Sequence, residues 1–205
     1  MKKLILFSIL LPLFSVCQDE RAKSILDKLS EKTSAYYSIE AHFTNIFSSS
    51  IADINESQNG IIYLQGDAFK LELEEQTIIS DGETNWIYLK DEEEVNITED
   101  DEEENEISPS KIFTIYEEGY KYQFVKEDSK NYQINLFPEE SGAFSRVELF
   151  IDKAKMQISS FVMIDKQGSL YSYIIKSFIP NKKFNSSFFQ FDLAKYPDVD
   201  VIDLR

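Results

Sequence analysis

Cysteine and histidine are almost absent from this chain of 205 residues: Cys17 and His42 are the sole examples. That scarcity excludes internal disulfides, zinc sites built from Cys and His, and any cysteine nucleophile beyond the N-terminus. A Ser-His-Asp triad would have to use His42. This residue sits in Ile39-Glu40-Ala41-His42-Phe43, an alternating strand pattern with no special turn beside it, so it reads as a surface or rim histidine. Positive charge is also short, with 21 Lys and Arg against 37 Asp and Glu and a net charge of −16. Such a surface is repelled by nucleic acid and by anionic membranes. No phosphate-binding glycine loop, nucleophile elbow or dinucleotide fingerprint occurs. No cofactor is implied, and no catalytic residue stands out. Past residue 17 there is no apolar run near the ~20 residues a membrane span needs.

The N-terminus is where the apolar residues concentrate. Lys2 and Lys3 precede a run from Leu4 to Phe14 broken only by Ser8 and Pro12, and Ser15-Val16-Cys17 follows. This is the pattern of a secretory signal peptide over residues 1–17, cleaved before Gln18. The rival reading lipidates Cys17, but Val16 stands where that signal usually has a small residue. Residues 18–205 then form one exported domain, expected in the periplasm, long enough for a sizeable core. Loss of Lys2 and Lys3 makes it more acidic still.

Periodicity gives the coarse architecture. Ala22, Ile25, Leu26 and Leu29 fall at helical spacing over Asp19 to Ser34, with Lys23, Asp27, Lys28 and Glu31 opposite. From Tyr37 the period becomes two, and Ile39, Ala41 and Phe43 share a strand face. Residues 48–59 are polar and read as a hairpin connection. Gly60 to Leu64 returns. Phe69, Leu71 and Leu73 then alternate with Lys70, Glu72 and Glu74, one face apolar and one charged. Asp81-Gly82 is a turn signal between Thr77–Ser80 and a strand with Trp86 and Tyr88 on one face, Ile87 and Leu89 on the other. Ser108-Pro109 predicts a short helix holding Ile112, Phe113, Ile115 and Tyr116, ended by Gly119. Five evenly spaced strands follow to Phe178, then an aromatic cluster at Phe188, Phe189 and Phe191, and a last strand over residues 199–204. The whole reads as ten or eleven antiparallel strands wrapped around the helices.

Residues 91–106 carry eleven acids and no base. They lack the ligand spacing and central glycine of a calcium loop, so no metal site is assigned and a solvated loop is expected. Sixteen Phe and eleven Tyr supply either a well-filled core or a lined cavity, and composition alone does not choose between them.

The stretch Ser80-Asp81-Gly82-Glu83-Thr84-Asn85-Trp86-Ile87-Tyr88 resembles the "SDG-x-T-x-W-x-Y" hairpin of the LolA family of outer-membrane lipoprotein carriers. Other segments follow in the same order. Ser38 to Phe43 matches an "S-x-x-A-x-F" strand, Phe69-Lys70-Leu71 an "F-x-W/L" strand, and Val199 to Arg205 a "V-x-V-x-D-x-R" end. The resemblance implies a mainly β fold, an incomplete antiparallel β-barrel of about eleven strands with lid helices over an apolar cavity. It implies a monomeric, non-enzymatic carrier of lipoprotein acyl chains. The chains would be received from an inner-membrane ABC release complex and carried across the periplasm to an outer-membrane acceptor. Phe69 and Leu71 fall at the family's cavity-lining pair, Trp86 and Tyr88 on its hairpin strand, and Ile112, Phe113 and Tyr116 on its lid helix. Phe43 and Leu73 complete the expected acyl-chain set. The family's Arg-Pro ahead of the "F-x-W" strand, whose arginine ties the lid to the barrel, is replaced here by Gln65-Gly66. A sensor of the same fold, or a secreted hydrolase using paired carboxylates, are the alternative readings.

Overall fold

The computed structural model describes residues 19–99, 111, 113–117 and 119–205. The expected signal peptide, Ser108-Pro109 and Ile112 lie outside the described residues. The elements are helix α1 (Glu20–Ser34) and strands β1 (Ile39–Ser49), β2 (Ile54–Gln65), β3 (Ala68–Glu72), β4 (Gln76–Ser80), β5 (Thr84–Leu89), β6 (Glu94–Glu99), β7 (Tyr120–Glu127), β8 (Asn131–Pro138), β9 (Phe144–Asp152), β10 (Gln157–Asp165), β11 (Leu170–Pro180) and β12 (Asp200–Asp203). All twelve described strands belong to one sheet, in the order β12-β6-β5-β4-β3-β2-β1-β11-β10-β9-β8-β7. The sheet does not close, because β12 and β7 are its two edges. It is the incomplete barrel with a lid helix that the sequence resemblance implies, with one strand more than expected. β12 also departs from the antiparallel expectation: it lies parallel to β6, with Val201 beside Val95.

Helix α1 forms where its spacing says it should. Asp19 is the N-cap, and its carboxylate accepts from the N–H groups of Arg21 and Ala22. A fifteen-residue helix is marginal alone in water. Ala22, Ile25, Leu26 and Leu29 are buried, and burying the three larger ones supplies roughly 5–8 kcal/mol gross.

The face of the sheet toward α1, the inner face, is set by register. Ile39, Ala41 and Phe43 of β1 stand opposite Leu64, Ile62 and Gly60 of β2. Leu64 and Ile62 stand opposite Phe69 and Leu71 of β3. On the other half, Ile134, Leu136, Val147, Leu149, Phe161 and Met163 share this face, and most are fully buried. These residues and α1 make one continuous core.

A second, smaller core lies on the outer face. Ile79, Val95 and Ile97 are buried there, on the face where residues 184–196 pack against Tyr63 of β2, Lys70 of β3 and Tyr88 of β5. Phe189 is 2% exposed and packs edge-on against Phe184 and Phe188. The expected short helix before β7 is described at residues 113–116 as turns, with Thr114 N–H donating to Lys111 O and Glu117 N–H to Thr114 O.

Candidate ligand-binding face

Phe43 anchors the inner face of β1 because the position opposite is glycine. A Cβ on Gly60 would lie 2.4 Å from Phe43 Cζ and 2.8 Å from Leu73 Cδ2, so only glycine lets that ring and Leu73 close over the strand. Next to it the inner row runs Ile62, Leu71, Ile78 and Ile87 across β2 to β5. Ile62 is buried, but Leu71, Leu73, Ile78, Ile87 and Leu89 are only half-buried. Beyond them the inner positions of β6 turn polar, with Asn96 donating to Glu94 at 2.8 Å. An apolar strip therefore runs from the buried centre of the sheet toward β5 and stays partly accessible.

Of the residues expected at the cavity, Phe43, Phe69, Leu71 and Leu73 share this inner face. Phe113 and Tyr116 are buried in the core that this face forms with α1. Phe113 meets the Phe178 ring edge-on at 5.4 Å, and burial pushes the Tyr116 hydroxyl far above its ordinary range. Trp86 and Tyr88 lie on the opposite face. Ile78 pairs with Ile87, which forces Trp86 opposite Ile79 and Tyr88 opposite Thr77. Tyr88 packs against Tyr196 at 4.8 Å and Phe191 at 5.4 Å. The pair belongs to the outer core, and Ile78, Ile87 and Leu89 take the inner positions. Those three escaped the sequence reading because β5 is apolar on both faces and β4 carries Ile78 and Ile79 on opposite faces.

The Ser80-Asp81-Gly82 segment is a turn device. The Asp81 carboxylate accepts from Glu83 and Thr84 N–H at 3.1 and 2.9 Å, and Ser80 Oγ accepts from Gly82 N–H at 3.1 Å. Gly82 supplies the φ of +94°. His42 is on the outer face, its ring 3.2 Å from the buried Glu40 carboxylate, which Lys182 also pairs.

Gly66 has φ +60° between Gln65 and Ala68, which pair across the β2–β3 turn. Proline cannot adopt that angle, so the Gln65-Gly66 replacement alters the backbone and not one side chain alone. The helix is tied elsewhere. The second oxygen of Asp19 accepts from Phe124 N–H on edge strand β7 at 2.8 Å. Arg21 pairs with Glu127 at 2.8 Å and lies 3.8 Å over the Phe124 ring, while Ser30 donates to Glu117 at 2.6 Å. These links are absent from the sequence reading because nothing local marks a partner so far along the chain.

A sequence model of the family described as outer membrane lipoprotein carrier protein LolA matches residues 34–192. The chain belongs to the LolA family. It is 23% identical over 202 residues to an outer-membrane lipoprotein carrier protein of Legionella pneumophila, covering 95% of this chain and 97% of that one. Among solved structures it superposes on an uncharacterized conserved protein of Thermus thermophilus with a TM-score of 0.58 at 14% identity, covering 89% of this chain and 99% of the other. A LolA superfamily protein from Nitrosomonas europaea aligns with a TM-score of 0.49 at 12% identity, over 84% and 98% of the two chains. The LolA-family match excludes α1 up to Thr33 and the end from Leu193, so the helix side of the tether (Asp19, Arg21 and Ser30) and β12 lie outside the matched span, while Glu117, Phe124 and Glu127 lie within it. No described helix is long and apolar enough to cross a membrane.

Proposed function

We propose that this LolA-family protein is a periplasmic carrier that holds the acyl chains of lipoproteins on its inner face and moves them from the inner to the outer membrane. The observation that carries the reading is the accessible aliphatic strip of Leu71, Leu73, Ile78, Ile87 and Leu89, continuous with a fully buried core. A sixteen-carbon acyl chain exposed to water costs about 12 kcal/mol, at ~0.8 kcal/mol per methylene. A half-buried aliphatic wall recovers part of that cost by contact alone, so binding needs no covalent step. Partial recovery suits a carrier, which must also release its load. An inner-membrane ABC complex would load the protein and an outer-membrane acceptor would unload it. The net charge of −16 opposes self-association, in keeping with a monomer.

The test is capture of a purified triacylated lipoprotein in detergent-free buffer. Wild type keeps it soluble. Leu71→Asp and Ile87→Asp, which place a carboxylate in the strip, cut capture by about tenfold or more. Tyr88→Ser, on the outer face, leaves it unchanged. Failure of wild-type protein to hold any acylated protein or lipid refutes the carrier reading.

A further inference from the structure

The inner face is not wholly apolar. Asn45 follows Phe43 on the inner side of β1, opposite Gln58 of β2 and Tyr173 of β11. The rings on either side of it are packed. Phe43 and Tyr173 lie 5.8 Å apart, Phe47 and Tyr171 lie 4.9 Å apart, and Phe161 stacks on Tyr173 at 4.7 Å. Within these aromatics the Nδ2 of Asn45 is sealed from solvent and has no hydrogen-bond acceptor among the described residues. The surroundings are dry enough that burial pushes the Tyr173 hydroxyl above its ordinary range. A buried amide N–H without an acceptor is costly, because it has lost water and gained nothing. At the far side of the strip the inner-face amide of Asn96 does find an acceptor, on Glu94. Asn45 is the next inner position along β1 from Phe43, against which Leu73 closes at Gly60. The free donor therefore stands at one end of the aliphatic strip.

We propose that Asn45 Nδ2 donates to an acyl carbonyl of the bound ligand, so that the site takes acylated glyceryl lipid by its ester end and not bare hydrocarbon. This rests on the carrier reading above and adds polarity to it. The ester oxygen sits between Phe43 and Phe47, and the tails run toward Leu71, Ile78 and Ile87. Free alkane, or a lipid whose chains are joined by ethers, lacks the carbonyl and gains nothing from Asn45.

Two probes and one substitution decide it. The first is a short peptide carrying S-(2,3-dipalmitoyloxypropyl)cysteine. The second is the same peptide with two hexadecyl ether chains. Affinities are measured on the full-length mature protein, wild type and Asn45→Leu. Wild type should bind the ester probe about tenfold more tightly than the ether probe, the size of one buried hydrogen bond. Asn45→Leu should bring the ester down to the ether and leave the ether unchanged. The ester C=O infrared band of the bound probe should lie at lower frequency in wild type than in Asn45→Leu. The variant is expected to melt no lower than wild type, since an unpaired amide leaves the core. Equal ester affinity and an unshifted band in Asn45→Leu overturn the proposal while the carrier reading stands. Failure of wild type to bind either probe overturns both.

Discussion

Replacing Gly60 with alanine tests how Phe43 is held in the wall of the site. The new Cβ would meet Phe43 Cζ at 2.4 Å, Phe43 Cε2 at 2.9 Å and Leu73 Cδ2 at 2.8 Å. Two of these three contacts are with a ring, which cannot fold away as a flexible chain end can. Phe43 is 7% exposed, and Tyr173 lies on its β11 side at 5.8 Å, so its escape is toward the ligand strip. Overpacking of this kind costs about 1–3 kcal/mol. Loss of glycine from the unfolded chain returns roughly 0.4–1 kcal/mol. The net expectation is a loss of about 1–2 kcal/mol, near 5 °C in melting temperature for a domain of this size. Urea unfolding followed by Trp86 fluorescence measures it. Phe43→Leu removes Cζ and Cε2, so in the double variant the ring clash should vanish, leaving only the flexible end of Leu73 to give way, and a coupling of about 1 kcal/mol or more should appear. Lipoprotein capture by Gly60→Ala should fall, because the displaced ring occupies the strip, and should return in part with Phe43→Leu. If the two substitutions add within about 0.5 kcal/mol, the ring is not pinned over Gly60 and the account of the wall is wrong.

Two further expectations separate the helix tether from the outer core. The N–H groups of Ala22 and Phe124, and then that of Arg21, hold the Asp19 carboxyl below its ordinary range. A lowered folded pKa gives stability that is present above the unfolded value near 3.9 and lost as pH falls through the folded value. Asp19→Ala should cost about 1 kcal/mol near neutral pH. Asp19→Asn, which keeps a cap without the titration, should close most of its gap to wild type between about pH 5 and 2; a gap constant across that range sinks the assignment. Phe189→Ala, in the outer core, should cost about 3–5 kcal/mol and leave acyl-chain affinity intact once the variant is held below its melting temperature. A matching loss of affinity would show that the two faces are coupled.

Sequence periodicity located most elements because their two faces differ. The α1 stripe of Ala22, Ile25, Leu26 and Leu29 is buried as its spacing demands, and Asp19 caps it. Where the faces are alike, the pattern lost its information. Residues 48–59 read as a loop, yet β1 runs to Ser49 and β2 starts at Ile54, because that arm is largely exposed and has no apolar side to alternate. In β5 the opposite holds: Trp86 and Tyr88 fill one core while Ile87 and Leu89 line the other, and a period of two cannot say which side is inner. The choice comes from pairing, strand by strand, from Ala41 through Ile62, Leu71 and Ile78 to Ile87. A site on this sheet is thus written in register more than in residue type. The same logic places Asn45, a polar residue between Phe43 and Phe47 on one side of β1, on the inner face. The residue before it, Thr44, bonds its cross-strand partner Asn59 on the outside at 2.8 Å, and the one step between Thr44 and Asn45 separates a satisfied surface pair from a buried donor that needs a ligand.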